Sequence, residues 1–281
     1  MTEGTENAAA TTPSPPAAAA TAGAAADGHF ETAIAGRHIA KRFGHVQALT
    51  DANVTVRAGE VVALFGDNGA GKSTFLKTLI GMIKPDAGEF VVADRPVSFS
   101  SIRDAQDAGV ECVHQDLALA PDLSVVDNMF LGNEMRHRGV LGRLGVVNRR
   151  EMTERADAAL RELSIKLPSL KVDISALSGG QKQALAVARA VMWGHTAVLM
   201  DEPTAALGAR QSAIVCDLMR TVAERGLGVL VVSHDLPRVL KVADRVTILW
   251  RGVTALEAPA ADLTVPDVVA TMVGYGRDNA A

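Results

Sequence analysis

A chain of 281 residues, 48% hydrophobic and 21% charged, is composed like an ordinary soluble globular protein, with room for one large domain or one domain with an inserted lobe. Its formal net charge of −4 supplies no general basic field for a phosphate backbone, so nucleic acid is not an expected partner. Cys112 and Cys216 stand far apart without CxxC spacing, which argues against a disulfide framework or zinc site and suits a reducing cytosol, while apolar runs such as "VVAL" and "LGVLVV" are far shorter than the roughly 18 to 20 residues that cross a bilayer.

Residues 1–29, rich in Ala, Thr and Pro and free of Lys and Arg, lack the basic start of a signal peptide and the arginines of a mitochondrial presequence. They read as a disordered tail preceding a domain over 30–281. From Phe30 onward short apolar runs alternate with helical stretches, the pattern of a sheet covered by helices. "VVALFG" (61–66) predicts a buried strand and "KSTFLKTLIGMI" (72–83) a helix. "GVECVH" predicts a further strand, and helical patterns dominate from about 118 to 176, as in an inserted lobe. Within that lobe Met152, Ala156, Ala159, Leu160 and Leu163 share one helical face. A helix over "QKQALAVARAVMW" and strands at "AVLM", "GVLVVS" and "RVTIL" complete the pattern, with no internal repeat.

"GDNGAGKS" (Gly66 to Ser73) matches GxxxxGK[ST] between a predicted strand and a predicted helix. Glycines there let backbone N–H groups face phosphate oxygens, Lys72 can reach the β/γ-phosphates, and Ser73 can hold Mg²⁺. In "LMDEPTAALGAR" two acids follow a strand: Asp201 sits where it can order the Mg²⁺ shell, and Glu202 points differently and can polarise a water. These features also fit a small-molecule kinase. What separates the two readings is "LSGGQKQ", where Ser178 and two glycines open a helix and form a second anion site. One nucleotide needs one P-loop, so a second phosphate grip points to two chains meeting.

"GDNGAGKST", "LSGGQ", "VLMDEPTAAL" and "VVSHD", in this order and spacing, resemble the ATP-binding-cassette (ABC) family over about Phe30 to Gly274. The resemblance implies an α/β fold: a P-loop NTPase cassette with a RecA-like core, an antiparallel β subdomain and an inserted helical lobe. It implies ATP and Mg²⁺ as ligands, with phosphates held by Gly66, Asp67, Asn68, Gly69, Ala70, Gly71, Lys72, Ser73 and Thr74, and metal held by Ser73, Gln115 and Asp201. Glu202, His234, Gln115 and Lys72 would be catalytic, His234 as the switch that touches the γ-phosphate. Phe43 matches the aromatic that stacks on adenine, a core phenylalanine being the other reading. Two cassettes would pair head to tail, with Leu177, Ser178, Gly179, Gly180 and Gln181 meeting ATP bound to the opposite chain. His114 reads as a strand-end side chain.

"VHQDLALAPDLSVVDNMFLGNE" and "PTAALG" further resemble the ATPases of bacterial monosaccharide importers of ribose, xylose or fructose type, in the single-cassette form. That implies a homodimer at the cytoplasmic face of the membrane beneath integral permease subunits, served indirectly by a sugar-binding protein. A soluble cassette ATPase acting on ribosomes or DNA is the alternative, though ribosomal relatives carry two cassettes and DNA-repair relatives carry zinc modules or coiled coils. Gly208 stands where the family usually has an aspartate that links the two ATP sites. The arginines 136, 138, 143, 149 and 150 read as a solvated face or as a contact with a permease loop or anionic headgroups.

Overall fold

The computed structural model describes residues 31–205 and 207–274, so the tail at 1–29 lies outside the described residues. The first two strands, β1 (Thr32–Phe43) and β2 (Val46–Arg57), form a long antiparallel hairpin. β3 (Val61–Gly66) runs into helix α1 (Lys72–Leu79). β4 (Ala87–Val92) and β5 (Arg95–Val97) extend the antiparallel edge, and α2 (Ile102–Asp107) leads to β6 (Val110–Val113). Helices α3 (Val125–Phe130), α4 (Val140–Arg143) and α5 (Arg149–Glu162) follow, then α6 (Gly179–Trp193). The chain closes through β7 (Ala197–Asp201), α7 (Ala209–Glu224), β8 (Gly228–Val232), α8 (Leu236–Val242), β9 (Arg245–Trp250), β10 (Val253–Pro259) and α9 (Val265–Met272).

The strands lie in the order β5-β4-β1-β2-β10-β9-β3-β8-β7-β6. From β9 to β6 every pairing is parallel, and from β5 to β2 every pairing is antiparallel. All six residues of β3 are buried, as a central parallel strand covered on both faces requires. Its odd positions, Val61, Ala63 and Phe65, join a core with α3, α5, α6 and α7. Its even positions, Val62 and Leu64, join a second core with Phe75, Leu76 and Leu79 of α1 and with Ile34, Leu49 and Val54 of the hairpin. The period of two thus divides one strand between two layers.

α1 stops at Leu79, short of the predicted 83, because Gly81 turns left-handed at φ 71° and packs so closely that an added Cβ would stand 2.3 Å from Ser101 O. In α5 the predicted face is the buried one, with Met152, Ala156 and Leu160 inside. Among the described residues no helix is long and apolar enough to cross a membrane.

The hairpin folds over the parallel sheet at Gly228, the first residue of β8, where a Cβ would stand 2.5 Å from Ala33 Cβ and 3.0 Å from Val56 Cγ1. Gly228→Ala is therefore expected to force the two layers apart and to lower stability by about 1–3 kcal/mol in chemical denaturation. An unchanged midpoint would show that the layers yield freely at this point.

Candidate functional site

The site gathers at the carboxyl ends of the parallel strands, where open α/β sheets collect ligands. Gly66 closes β3, Gln115 follows β6, Asp201 ends β7 and His234 follows β8. Gln115, Asp201, Glu202 and His234 line one cleft of about 470 Å³, with Asn68, Gly69 and Gly71 to Thr74 along the phosphate loop and Val46, Gln47 and Ala48 on the hairpin side, while Gly66, Asp67 and Ala70 do not line it. The phosphate loop, Gln115, the acidic pair and His234, read from separate stretches of sequence, therefore converge on one place.

The loop's shape depends on Gly71 at φ 106°, where a Cβ would stand 2.8 Å from Ala48 O and 2.7 Å from Leu49 Cδ2. Only a residue without a side chain lets the loop enter α1 against β2. Lys72, 7% exposed, curls back so that its ammonium donates to Gly66 O at 2.7 Å and Asp67 O at 3.1 Å. Burial pushes its pKa below the usual lysine value, against the pull of Glu202, Asp67 and Asp201. The arrangement holds a cation at the mouth of a helix N-terminus, a natural seat for anionic oxygens.

Asp201 and Glu202 diverge sharply. Glu202 adopts φ 50°, left-handed backbone that costs a residue with a Cβ about 1–2 kcal/mol, and its N–H donates to Val232 O at 2.9 Å. The kink aims its carboxylate at His234, whose Nε2 lies 3.1 Å from Oε1 while its backbone N–H donates to Oε2 at 3.3 Å. Burial raises the pKa of Glu202, with His234 and Lys72 pulling it down and Asp201 pushing it up. Burial likewise raises that of Asp201, opposed by His114, Lys77 and Lys72.

Ser73, Gln115 and Asp201 bring a hydroxyl, an amide and a carboxylate to the same cleft. Hard oxygen donors with one carboxylate suit a small divalent cation that keeps water and phosphate ligands, and a cation beside Asp201 would offset the burial that disfavours its charge. Among the described residues no group of three His, Cys, Asp or Glu forms a cage of its own.

Other residues fall elsewhere. Phe43 is 46% exposed, which rules out the core reading; it ends β1 opposite Val46, which lines the cleft while Phe43 does not. The signature segment lies outside this cleft. Leu177 is buried in the core, and Gln181 turns back to accept from Ser178 N–H at 2.9 Å, closing a capping box on α6. Ser178 and Gly179 are the exposed part of the segment. Gly208 has ordinary backbone at φ −68° and ψ 161°, its N–H held by Gln211 Oε1 at 3.0 Å, so Gln211 caps the helix that an aspartate would have capped.

Sequence reasoning missed Val46 to Ala48 and also Arg189, whose guanidinium donates to Ala118 O at 2.8 Å and Leu117 O at 2.9 Å just beyond Gln115. Leu117 and Ala118 both carry positive φ, at 59° and 45°, a kink that nothing in their residue types announces.

A phosphate loop leaving the central strand, with a carboxylate pair at the end of the parallel strand two places along the sheet, defines a P-loop nucleotide-binding ATPase. More narrowly, the chain belongs to the ABC transporter family, whose model matches residues 49–205. It is 42% identical to a fructose import ATP-binding protein of Rhizobium meliloti over 87% of this chain and 95% of that one. It is 40% identical to a xylose/arabinose import ATP-binding protein of Sulfolobus acidocaldarius, over 85% of this chain and 93% of that one. A dimeric bacterial ABC transporter cassette superposes with a TM-score of 0.66 at 25% identity, covering 81% of this chain and 98% of that one.

Because folding raises the pKa of Asp201, the folded state favours its protonated form; the stabilisation linked to that preference is full below the ordinary carboxylate value and lost as pH rises through the raised one. Asp201→Asn is thus expected to raise the melting temperature of the nucleotide-free protein at about pH 8, by an increment that shrinks as pH falls toward about 4. Differential scanning calorimetry at both ends of that range checks this, and an increment independent of pH contradicts it.

Proposed function

We propose that this protein is the ATP-hydrolysing subunit of a monosaccharide importer, working as a head-to-tail homodimer on the cytoplasmic side of the membrane beneath separate permease subunits. The observation that carries the catalytic half of this reading is the Glu202–His234 pair poised beside the Lys72 loop in one cleft. The transport half is supported by the sugar-importing relatives, each matched over nearly its whole length.

In this reading the loop N–H groups and Lys72 hold the β- and γ-phosphates of ATP. Glu202, its basicity raised by burial, accepts a hydrogen bond from the attacking water and takes its proton as the water oxygen bonds to phosphorus and the bond to the ADP oxygen breaks. His234 steadies Glu202 and faces the departing phosphate. Ser73, Gln115 and Asp201 would hold Mg²⁺, which neutralises charge on the phosphates when bound. Phe43, at the free end of the hairpin, takes the adenine side.

Ser178 and Gly179, exposed and remote from their own cleft, serve the ATP of the partner chain. Closure of two such faces on ATP and reopening after hydrolysis would drive the permease. The sugar is chosen by the permease and the binding protein.

Glu202→Gln is expected to bind ATP about as tightly as the parent while turnover falls by about 10²-fold or more. Unchanged turnover would remove Glu202 from its role. Lys72→Ala and Ser178→Arg should each be inactive alone. Mixed together they form dimers with one intact composite site, so turnover returns; no recovery would count against head-to-tail pairing.

A further inference from the structure

Between α3 and α5 the sixteen positions from Met135 to Arg150 hold five arginines and a histidine and not one carboxylate, in a chain of net charge −4. The segment folds as a short finger. Arg136 pairs antiparallel with Val147, His137 N–H donates to Val146 O at 2.9 Å, and Asn148 N–H to Met135 O at 2.7 Å. The single turn α4 closes the tip, and a Cβ on Gly139 or Gly145 would meet nothing within 4 Å, so the tip stands in open space.

Two of the arginines are engaged, Arg149 with Asp127 at 3.2 Å and Arg150 with Glu154 at 2.9 Å. Arg136, Arg138 and Arg143 are exposed and form no ion pair among the described residues. In the same finger Leu144 is 74% exposed, Leu141 53% and Val146 40%, apolar side chains that the fold leaves in water. Unpaired guanidinium groups beside bare leucines suit a layered environment with anionic oxygens above and hydrocarbon below.

We propose that this finger docks directly on the anionic headgroup surface of a membrane. Leu141 and Leu144 enter the boundary between headgroups and acyl chains, and Arg136, Arg138 and Arg143 hold lipid phosphates. A lipid surface needs no shape complementarity; unpaired positive charge beside a few exposed apolar side chains is what it takes up. The contact requires no permease and adds a second hold on the membrane.

The test is co-sedimentation of the full chain with vesicles of phosphatidylcholine alone or with about one third phosphatidylglycerol. Binding to the anionic vesicles alone is expected, falling as salt is raised toward about 1 M. Arg136→Gln/Arg138→Gln/Arg143→Gln should weaken partitioning on the order of a hundredfold. Leu141→Ser/Leu144→Ser should weaken it by at least about tenfold. Basal ATP hydrolysis should persist in both variants, since none of these residues lines the cleft. A wild-type chain that stays in the supernatant, or variants that bind vesicles like the parent, would overturn the proposal. Variants that bind vesicles normally but no longer co-purify with permease subunits would assign the finger to a protein contact instead.

Discussion

The cleft depends on a backbone contact among three segments. Gly71, where the phosphate loop enters α1, lies against Ala48 and Leu49 of β2, and a Cβ on it would stand 3.7 Å from Gly252 Cα in the turn between β9 and β10. Gly252 presses on the same strand, its added Cβ falling 2.9 Å from Ala48 O. Hydrogen bonds lock the joint: Gly252 N–H donates to Ala70 O at 2.9 Å, and Thr50 N–H to Gly252 O at 2.8 Å. The phosphate loop, the hairpin and the turn joining β9 to β10, the two strands that lie between them, are thereby fixed to one another at one joint. That is why Val46 to Ala48, remote in sequence from the loop, form one wall of its cleft.

On that fixed frame the acids are held under two kinds of stress. Glu202 carries a left-handed backbone, and both carboxylates are partly desolvated, which raises their pKa values. Neither condition favours the folded state by itself, so both must be offset by the sheet. The five β7 residues pair fully with β8, and Ala197 to Met200 are buried. The rigidity of the parallel core lets a stressed pair persist one residue beyond the end of a strand.

The parallel half of the fold was legible in the sequence because its strands are short, largely apolar and bounded by turn residues or a helix, and because the phosphate loop has few alternative conformations once glycines and lysine take those positions. The antiparallel half was legible only through family resemblance. β1 and β2 run for twelve residues each with repeated register shifts, so bulges break the alternation that would reveal them. The cleft's acids and lysine could be read because their chemistry is carried by side-chain type, whereas His234 was singled out only through the family resemblance. Arg189 could not, since it acts on the carbonyls of Leu117 and Ala118 from a helix whose other positions are mostly small and apolar.

Arg189 also gives α6 a second purpose. The helix opens at the Ser178 cap, the end assigned to the partner's nucleotide, and eleven residues later, about 16 Å along the axis, its guanidinium grips the strained turn just beyond Gln115. Trp193, one turn further, donates to Met129 O at 2.9 Å and stacks edge-on against Phe130 with ring centroids 5.6 Å apart, tying the same helix to α3. Gln183 to Ala188, between these anchors, are buried, and a helix packed along its middle does not bend easily. One helix thus joins the turn after Gln115 to the end that, in the proposed dimer, would face the partner's nucleotide.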